Sequence, residues 1–240
     1  MSSLHPYFVY YGGKWRAAPR YPAPRHNVIV EPFAGSAGYA LRYHERQIVL
    51  VEKDEVLAEL WRYLIRATAN DFLSLPDLRG DATVDDLSIC AGAKALIGFW
   101  LNKGVERPRK SPSAWMRSGI RPKSYWGPEV RARLAAQAGK IAHWQIIEGD
   151  YTAAPDVEGT WFIDPPYVDA GRQYRHSSRD IDYAALASWC LARRGQVLVC
   201  ESSGANWLPF EDHIVAKSLP GSRGKGHSRE ALWTNETEAA

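Results

Sequence analysis

The stretch NVIVEPFAGSAG, at residues 27–38, decides the fold of this 240-residue chain. Residues 27–31 form an apolar, β-branched run, which is typical of a buried strand. Gly35 and Gly38 allow a tight turn and a close approach of the backbone to a ligand, and we predict a helix over residues 37–45. A strand, a glycine turn and a helix N-terminus in this order indicate a ligand-binding unit of an α/β protein.

Outward from this stretch, short apolar runs alternate with helical patterns. Asp54 is a predicted N-cap, because apolar residues follow it at helical spacing. We predict strands over residues 27–31, 47–51, 144–147, 160–163, 196–200, 213–217 and 231–234, and further helices over 54–67, 91–101, 129–141 and 181–192. This alternation predicts a mainly parallel sheet covered by helices on both faces.

Composition limits the class of protein. The length fits one domain with at most a small insertion. Hydrophobic residues are 45% and charged residues 24% of the chain, which argues against wholesale disorder. Three cysteines without a CxxC pair predict buried thiols in a reducing cytosol and neither a disulfide framework nor a zinc site. We expect no membrane span, because the chain has no uncharged apolar run of about 20 residues.

The net charge of +3 conceals basic segments. The basic module, residues 103–133, carries nine Lys and Arg residues against Glu106 and Glu129, with rings at Trp115, Tyr125 and Trp126. Two further basic segments are RQYRHSSR at 172–179 and SRGKGHSR at 222–229. The charges and rings together favour a surface that follows a phosphate backbone. A solvated basic loop is the alternative for the module.

The glycine turn is by itself a weak signal, since a nucleotide-binding dehydrogenase has a similar one. The turn lacks a full GxGxxG, however, and the leading Glu31 favours a cofactor with an ammonium group over a pyrophosphate. Glu52 and Asp54 lie 17 and 19 residues after Gly35, near the spacing of an acid that binds ribose hydroxyls. Either acid fits that role.

The second motif is DPPY at residues 164–167, directly after the apolar run 160–163. Two prolines end the strand in a stiff turn at the carboxyl edge of the sheet. This turn presents the Asp164 carboxylate and the Pro165 carbonyl as neighbouring acceptors, which suit an exocyclic NH2 group, while Tyr167 offers a stacking face. Such acceptors would expose the lone pair of an aromatic amine to an electrophile. The alternative is a plain strand-ending turn.

The ordered motifs resemble those of the Dam-like DNA adenine-N6 methyltransferases, which use S-adenosyl-L-methionine. The similar elements are YYGGK at 10–14, EPFAGSAG at 31–38, GDY at 149–151, DPPY at 164–167 and EALWTN at 230–235. The resemblance spans nearly the whole chain. It implies a Rossmann-like methyltransferase fold with a mainly parallel seven-stranded sheet, a catalytic domain over 1–90 and 140–240, and a small recognition region over 91–139.

The resemblance also implies a role for each matching residue. Phe33–Ser36 would wrap the methionine portion of the cofactor, Asp150 would accept from its adenine amine, and Tyr10 and Lys14 would line the entrance for the target base. The implied cofactor-binding residues are Tyr10, Lys14, Glu31, Pro32, Phe33, Ala34, Gly35, Ser36, Gly38, Glu52, Asp54, Asp150, Tyr151 and Asp164. The implied catalytic residues, which would hold a flipped adenine, are Asp164, Pro165, Pro166 and Tyr167.

The expected partner is duplex DNA. The predicted DNA-binding residues are Lys103, Arg107, Arg109, Lys110, Arg117, Arg121, Lys123, Arg172, Arg175, Arg179, Arg223 and Lys225. The recognition region is short, so we expect a short or relaxed target. We further expect a cytoplasmic monomer without a metal, and the resemblance implies a restriction endonuclease as a partner in the host. The alternatives are a DNA cytosine-N4 or RNA adenine-N6 methyltransferase, and a catalytically idle DNA-binding protein.

Overall fold

The computed structural model describes residues 4–78, 81–119, 122–217 and 227–236. Within them, one sheet contains seven strands: β1 (Val28–Glu31), β2 (Gln47–Glu52), β3 (Gln145–Glu148), β4 (Glu158–Ile163), β5 (Arg194–Ser202), β6 (Glu211–Lys217) and β7 (His227–Thr234). The α-helices are α1 (Glu55–Arg66), α2 (Ala69–Leu73), α3 (Ala91–Leu101), α4 (Ala114–Arg117), α5 (Pro128–Ala135) and α6 (Tyr183–Leu191). Short 3₁₀ helices lie between them.

The sheet has the order β3-β2-β1-β4-β5-β7-β6. Strands β1 to β5 run parallel to one another, and β7 pairs antiparallel with both β5 and β6. Strand β1 lies inside the sheet between β2 and β4, and its Val30 lies beside Val49 on one side and Trp161 on the other. The sequence-based prediction of an α/β fold with a mainly parallel sheet is confirmed.

Alternate residues of the strands belong to two separate cores. Ile29 and Phe162 pack in one core with α1, α3 and α5, whereas Val30 and Trp161 pack in the other with α6. This separation follows from the two-residue period of a strand, which sends successive side chains to opposite faces of the sheet. Both faces are therefore covered by helices, and both are apolar.

Helix α1 begins where the sequence predicts it. The Asp54 carboxylate accepts a hydrogen bond from the Val56 N–H at 2.9 Å, which satisfies a donor that the first helical turn leaves unpaired. Its apolar stripe, which includes Leu57, Trp61 and Leu64, is buried against the sheet. The first turn of α1 consequently lies beside the carboxyl end of β2.

The helix predicted over residues 37–45 is wrong. The chain forms only a 3₁₀ helix at Ala40–Tyr43, because Ala37 has a φ of 49° and so interrupts right-handed helical geometry. Gly38, which is predicted to allow the close approach of a ligand, also has a role in packing. A Cβ at Gly38 would lie 2.4 Å from the Trp15 backbone nitrogen, so the glycine lets two backbone segments approach each other.

The recognition region predicted over 91–139 shares its first and last helices with the main core. Helix α3 is buried along nearly its whole length, and Val130 and Leu134 of α5 pack into the same core. Trp126 is buried as well, and its backbone N–H donates to the Trp100 carbonyl. Most of the exposed residues of this region therefore lie between these two helices.

Two smaller expectations have different outcomes. Cys190 and Cys200 are buried as predicted, but Cys90 is exposed at the start of α3, so that part of the prediction is wrong. Among the described residues, none of the helices has the length and apolar character needed to cross a membrane.

Candidate functional site

One cavity of about 620 Å³ lies at the carboxyl ends of β1, β2 and β4. We call it the edge cavity. Every residue predicted to bind the cofactor or the target base lines it, from Tyr10 in the N-terminal segment to Tyr167 after β4. Carboxyl ends of neighbouring parallel strands meet at one edge of a sheet, which is why motifs far apart in the sequence converge there.

The glycine turn of residues 34–36 forms one wall of the edge cavity. Gly35 has a φ of 46°, which a glycine adopts readily. Its N–H donates to Glu52 at 2.9 Å, and its carbonyl accepts from the indole N–H of Trp61 at 2.9 Å. The turn is thus fixed from both sides, by the end of β2 and by α1.

Two buried carboxyls stand behind this turn. Glu31 accepts a 2.6 Å hydrogen bond from the Ala40 N–H, and burial raises its pKa to about 8 even though this bond favours the ionised form. Glu52 accepts from the Gly35 and Asp54 N–H groups, and burial raises its pKa to about 7 against those bonds. Both acids therefore titrate close to neutral pH.

Glu52 and Asp54 were both predicted for the ribose position, and both line the edge cavity. Each Glu52 oxygen already accepts one backbone N–H. One Asp54 oxygen caps α1 and lies 3.3 Å from the Arg175 guanidinium. Carboxylate oxygens can accept more than one bond, so both acids retain capacity and the choice stays open.

The wall on the β3 side contains Asp150 and Tyr151. Asp150 forms a 2.9 Å ion pair with Lys53, which follows β2. The Tyr151 ring stacks on Phe33 with centroids 5.6 Å apart, so the GDY element touches the glycine motif. Gly149 donates its N–H to the Glu52 carbonyl, which fixes this element beside β2.

The DPPY turn forms the opposite wall. The Lys14 ammonium lies 3.0 Å from an Asp164 oxygen, 3.5 Å from a Glu230 oxygen and 4.8 Å from the centre of the Tyr167 ring. Lys14 is 7% exposed. An ammonium this deeply buried needs compensating charge, and these two carboxylates supply it.

The charges of Lys14, Asp164 and Glu230 shift one another's pKa values. Burial raises the pKa of Asp164, and the neighbouring Lys14 ammonium opposes that rise. For Lys14, burial lowers the pKa, but the carboxylates of Asp164 and Glu230 outweigh burial and bring it above the usual lysine value. Lys14 is therefore a cation throughout the physiological range.

The two prolines stand in a tightly fixed turn. The Tyr183 hydroxyl donates to the Pro166 carbonyl at 2.5 Å, and Gly171 packs so closely on Pro166 that a Cβ there would clash at 2.7 Å. In the part of the chain that the structure describes, the Pro165 carbonyl accepts no hydrogen bond. The Asp164 carboxylate and the Pro165 carbonyl thus remain two adjacent acceptors on the cavity wall.

Residues 168–182, which we call the strap, continue along the cavity. The Tyr174 hydroxyl donates to the Tyr11 carbonyl at 3.2 Å, and its ring lies 5.9 Å from that of Tyr10. Arg175 pairs with Asp54 and, at 2.5 Å, with Glu55. The structure thus pairs Arg175, predicted as a DNA-binding residue, with acids at the N-terminus of α1.

The other described residues predicted to bind DNA are exposed: Lys103, Arg107, Arg109, Lys110, Arg117, Lys123, Arg172 and Arg179. Lys110 pairs with Asp85 at 2.5 Å. Arg121, Arg223 and Lys225 lie outside the described residues. Trp115, in the same module, is 66% exposed, whereas Trp126 is buried and serves packing.

Sequence reasoning missed several residues that shape this site. Glu230 was noted only as part of a strand, and Tyr21, Tyr174 and Tyr183 were given no role. In the sequence, the one feature that could have pointed to Glu230 is its position as an acid directly before the apolar run of residues 231–234. Glu201 was missed too: it is fully buried at the end of β5 and accepts from the Val168 N–H and the Trp207 indole, which ties the strap to the sheet.

Comparisons with known proteins add little to this geometry. No family model matches the chain, and no curated protein matches it. It is similar to a solved structure described as a conserved hypothetical protein from Streptococcus pyogenes, with 14% identity and a TM-score of 0.35 over 91% of this chain and 89% of that one.

Proposed function

We propose that the chain is a DNA adenine-N6 methyltransferase of the Dam-like type, which uses S-adenosyl-L-methionine. The observation that carries this proposal is the convergence of the EPFAGSAG turn and the DPPY turn on one cavity, where Asp164 and Pro165 offer adjacent acceptors. The proposal includes a Rossmann-like methyltransferase fold. The strand order, with β7 reversed between β5 and β6, is compatible with it.

The residues of the edge cavity fit the proposed cofactor. A volume of about 620 Å³ is within the range of small-molecule sites. Among the charged residues that line the edge cavity, the carboxyls outnumber the cations Lys14, Lys53 and Arg175, which suits a cationic ligand. Phe33–Ser36 would hold the methionine portion, Glu52 or Asp54 the ribose, and Asp150 the adenine. When bound, the cofactor would supply an electrophilic methyl group.

The chain's own contribution is to hold and orient the target amine. The Asp164 carboxylate and the Pro165 carbonyl would accept its two hydrogens, which turns the nitrogen lone pair toward the methyl group. The Tyr167 ring would stack on the base. For duplex DNA, these contacts offset the cost of flipping the base out of the stack. The proton that the amine loses would pass to the Asp164 carboxylate.

The exposed basic residues and Trp115 support duplex DNA as the partner, since Lys and Arg neutralise phosphates without reading sequence. In the described part of the predicted recognition region, most exposed residues lie between α3 and α5, and this short exposed segment favours a short or relaxed target. We further propose a cytoplasmic monomer. A restriction endonuclease partner in the host stays a proposal that rests on the resemblance.

Two other readings make different predictions. A DNA cytosine-N4 or RNA adenine-N6 methyltransferase would modify another base or nucleic acid. A catalytically idle DNA-binding protein would bind DNA without modifying it. The two adjacent acceptors at Asp164 and Pro165 favour an enzyme, because such a pair has no use in a binding protein that only follows a backbone.

Label transfer tests the proposal. We expect the chain to move radiolabelled methyl from S-adenosyl-L-methionine to unmethylated DNA, with the label recovered as N6-methyladenine. Asp164→Ala should lower the rate at least about 100-fold, because the amine loses its charged acceptor. Glu148→Gln, which alters an exposed ion pair with Arg62, is the matched control and should retain full activity. No label in any DNA would refute the proposal.

A further inference from the structure

Lys14 stands between two carboxylates that come from different parts of the sheet. Asp164 follows β4, and Glu230 lies on β7, with their oxygens 3.0 and 3.5 Å from the same ammonium. The side chains of Asp164 and Glu230 are 20% and 14% exposed. One buried cation thus has two anionic partners within reach without any movement of the backbone.

Glu230 keeps its place independently of Asp164. The Tyr21 hydroxyl donates to the second oxygen of Glu230 at 2.6 Å, which leaves the first oxygen facing Lys14. Tyr21 is itself buried, with its ring 5.1 Å from that of Phe162. On the sheet, Glu230 pairs with Ser202 of β5. The second partner of Lys14 is therefore rigidly held.

A single partner would create a difficulty in the proposed reaction. Asp164 must turn its charge toward the target amine and then take up the amine proton. If Asp164 were the sole partner of Lys14, this step would leave a buried ammonium unpaired, which is strongly unfavourable. With Glu230 present, the ammonium still has a carboxylate beside it after Asp164 becomes neutral.

We propose that Glu230 is a positioning residue that takes over the Lys14 ammonium when Asp164 binds and deprotonates the target amine. This rests on the proposed function. In the step, a bond forms between the amine nitrogen and the methyl carbon, and the carbon–sulfur bond breaks with its electron pair left on sulfur. One amine proton passes to Asp164 and later to water. Lys14 stays protonated throughout.

The exchange of partners can be tested without any turnover. In Asp164→Asn and in Glu230→Gln, the ammonium keeps one carboxylate. The unfolding temperature of each variant should therefore change little. The rate at which an amine-specific reagent acylates Lys14, mapped by mass spectrometry, should also change little. The double variant leaves no carboxylate, and Lys14 should then be acylated at least about tenfold faster. If the effects of the two substitutions on the unfolding temperature and on the acylation of Lys14 are simply additive in the double variant, the proposal is overturned.

The double variant could fail to fold, and a third substitution covers that outcome. Adding Lys14→Met removes the unpaired charge and should restore cooperative unfolding. Loss of folding that Lys14→Met does not restore would contradict the proposed role, because the defect would then not be the uncompensated cation.

Kinetics supply the second readout. Glu230→Gln should lower kcat at least about tenfold while KM for DNA changes less than about twofold, since Glu230 acts through the Lys14 ammonium. Tyr21→Phe should have a smaller effect in the same direction, and Glu148→Gln none. If wild type transfers no methyl although the acylation pattern holds, the proposed function fails, and only the sharing of Lys14 by two carboxylates stands. If transfer occurs and Glu230→Gln is as fast as wild type, only this inference fails.

Discussion

At the scale of single residues, glycines and buried acids at the edge cavity have separable roles. Gly35 needs its positive φ, and a Cβ there would also lie 3.2 Å from the Tyr10 ring. Gly38 needs space, because its Cβ would meet the Trp15 nitrogen at 2.4 Å. The sequence motif predicted that both glycines matter. It could not predict that they matter for different reasons, because these depend on how the N-terminal segment with Tyr10 and Trp15 packs against the turn.

Alanine substitutions distinguish these roles. Gly104 has a φ of 67° with no atom within 4 Å of a built Cβ, so Gly104→Ala measures the backbone strain alone, about 1 kcal/mol. Gly38→Ala should cost clearly more, because backbone atoms cannot yield as a flexible side chain can. Gly35→Ala should lower affinity for S-adenosylhomocysteine, measured calorimetrically, whereas Gly104→Ala should leave it unchanged. Equal affinity in both variants would contradict the assigned role of the turn.

The buried Glu31 makes stability depend on pH. Its pKa is raised from 4.5 to about 8 in the folded chain, so the folded state holds the proton more tightly than the unfolded state. Its stabilising contribution is complete below pH 4.5 and is lost as pH rises toward 8. Relative to wild type, Glu31→Gln should gain up to about 1.4 kcal/mol in free energy of unfolding per pH unit across that window. Denaturant titrations at several pH values measure the free energy of unfolding. If this free energy changes with pH in the same way for wild type and for Glu31→Gln, the prediction is wrong.

At the scale of elements, the local pattern of apolar residues was sufficient to predict a strand or helix wherever burial alone decides its position. Apolar runs predicted each strand to within a few residues, and Asp54 was correctly predicted as the N-cap of α1. The prediction failed at residues 37–45, where Ala37 adopts a positive φ against its own preference. It also missed Glu230, because the partner that gives this acid its role, Lys14, lies near the other end of the chain.

The strap is the element that we expect to control access to the edge cavity. Arg175 joins it to Asp54 and Glu55, and these ion pairs are partly exposed and hence individually weak. Arg175→Ala should speed dissociation of S-adenosylhomocysteine by about two- to fivefold in stopped-flow experiments. Arg179→Ala, on the same strap and exposed, is the control. An unchanged dissociation rate for Arg175→Ala would show that the strap does not retain the ligand.

At the scale of the whole molecule, a net charge of +3 understates the basic character of one region. The segment between α3 and α5 holds exposed cations and the exposed Trp115, while acids such as Asp54 and Asp164 lie in or beside the edge cavity. This separation suits a molecule that binds a polyanion at its surface and a cation in its cavity. Total charge could not predict it, because the separation is created by folding.

The surface cations should set the salt dependence of DNA binding. Replacing Arg107, Arg109 and Arg117 by Ala should weaken binding to duplex DNA and reduce the slope of log K against log salt by about 0.9 for each phosphate that is no longer neutralised. Fluorescence anisotropy at several salt concentrations measures both quantities. The matched control replaces Arg62, whose partners are Glu59 and Glu148. If the slope of log K against log salt is unchanged in the triple variant, the DNA does not bind at these three residues.

The most direct test of the central claim is to sequence modified bases in the DNA of a methylation-free host that expresses this chain. We predict N6-methyladenine at a short or relaxed sequence context, and none in cells that express Asp164→Ala at equal abundance. N4-methylcytosine in its place, or DNA with no modified base in cells that contain the folded wild-type chain, would contradict the claim.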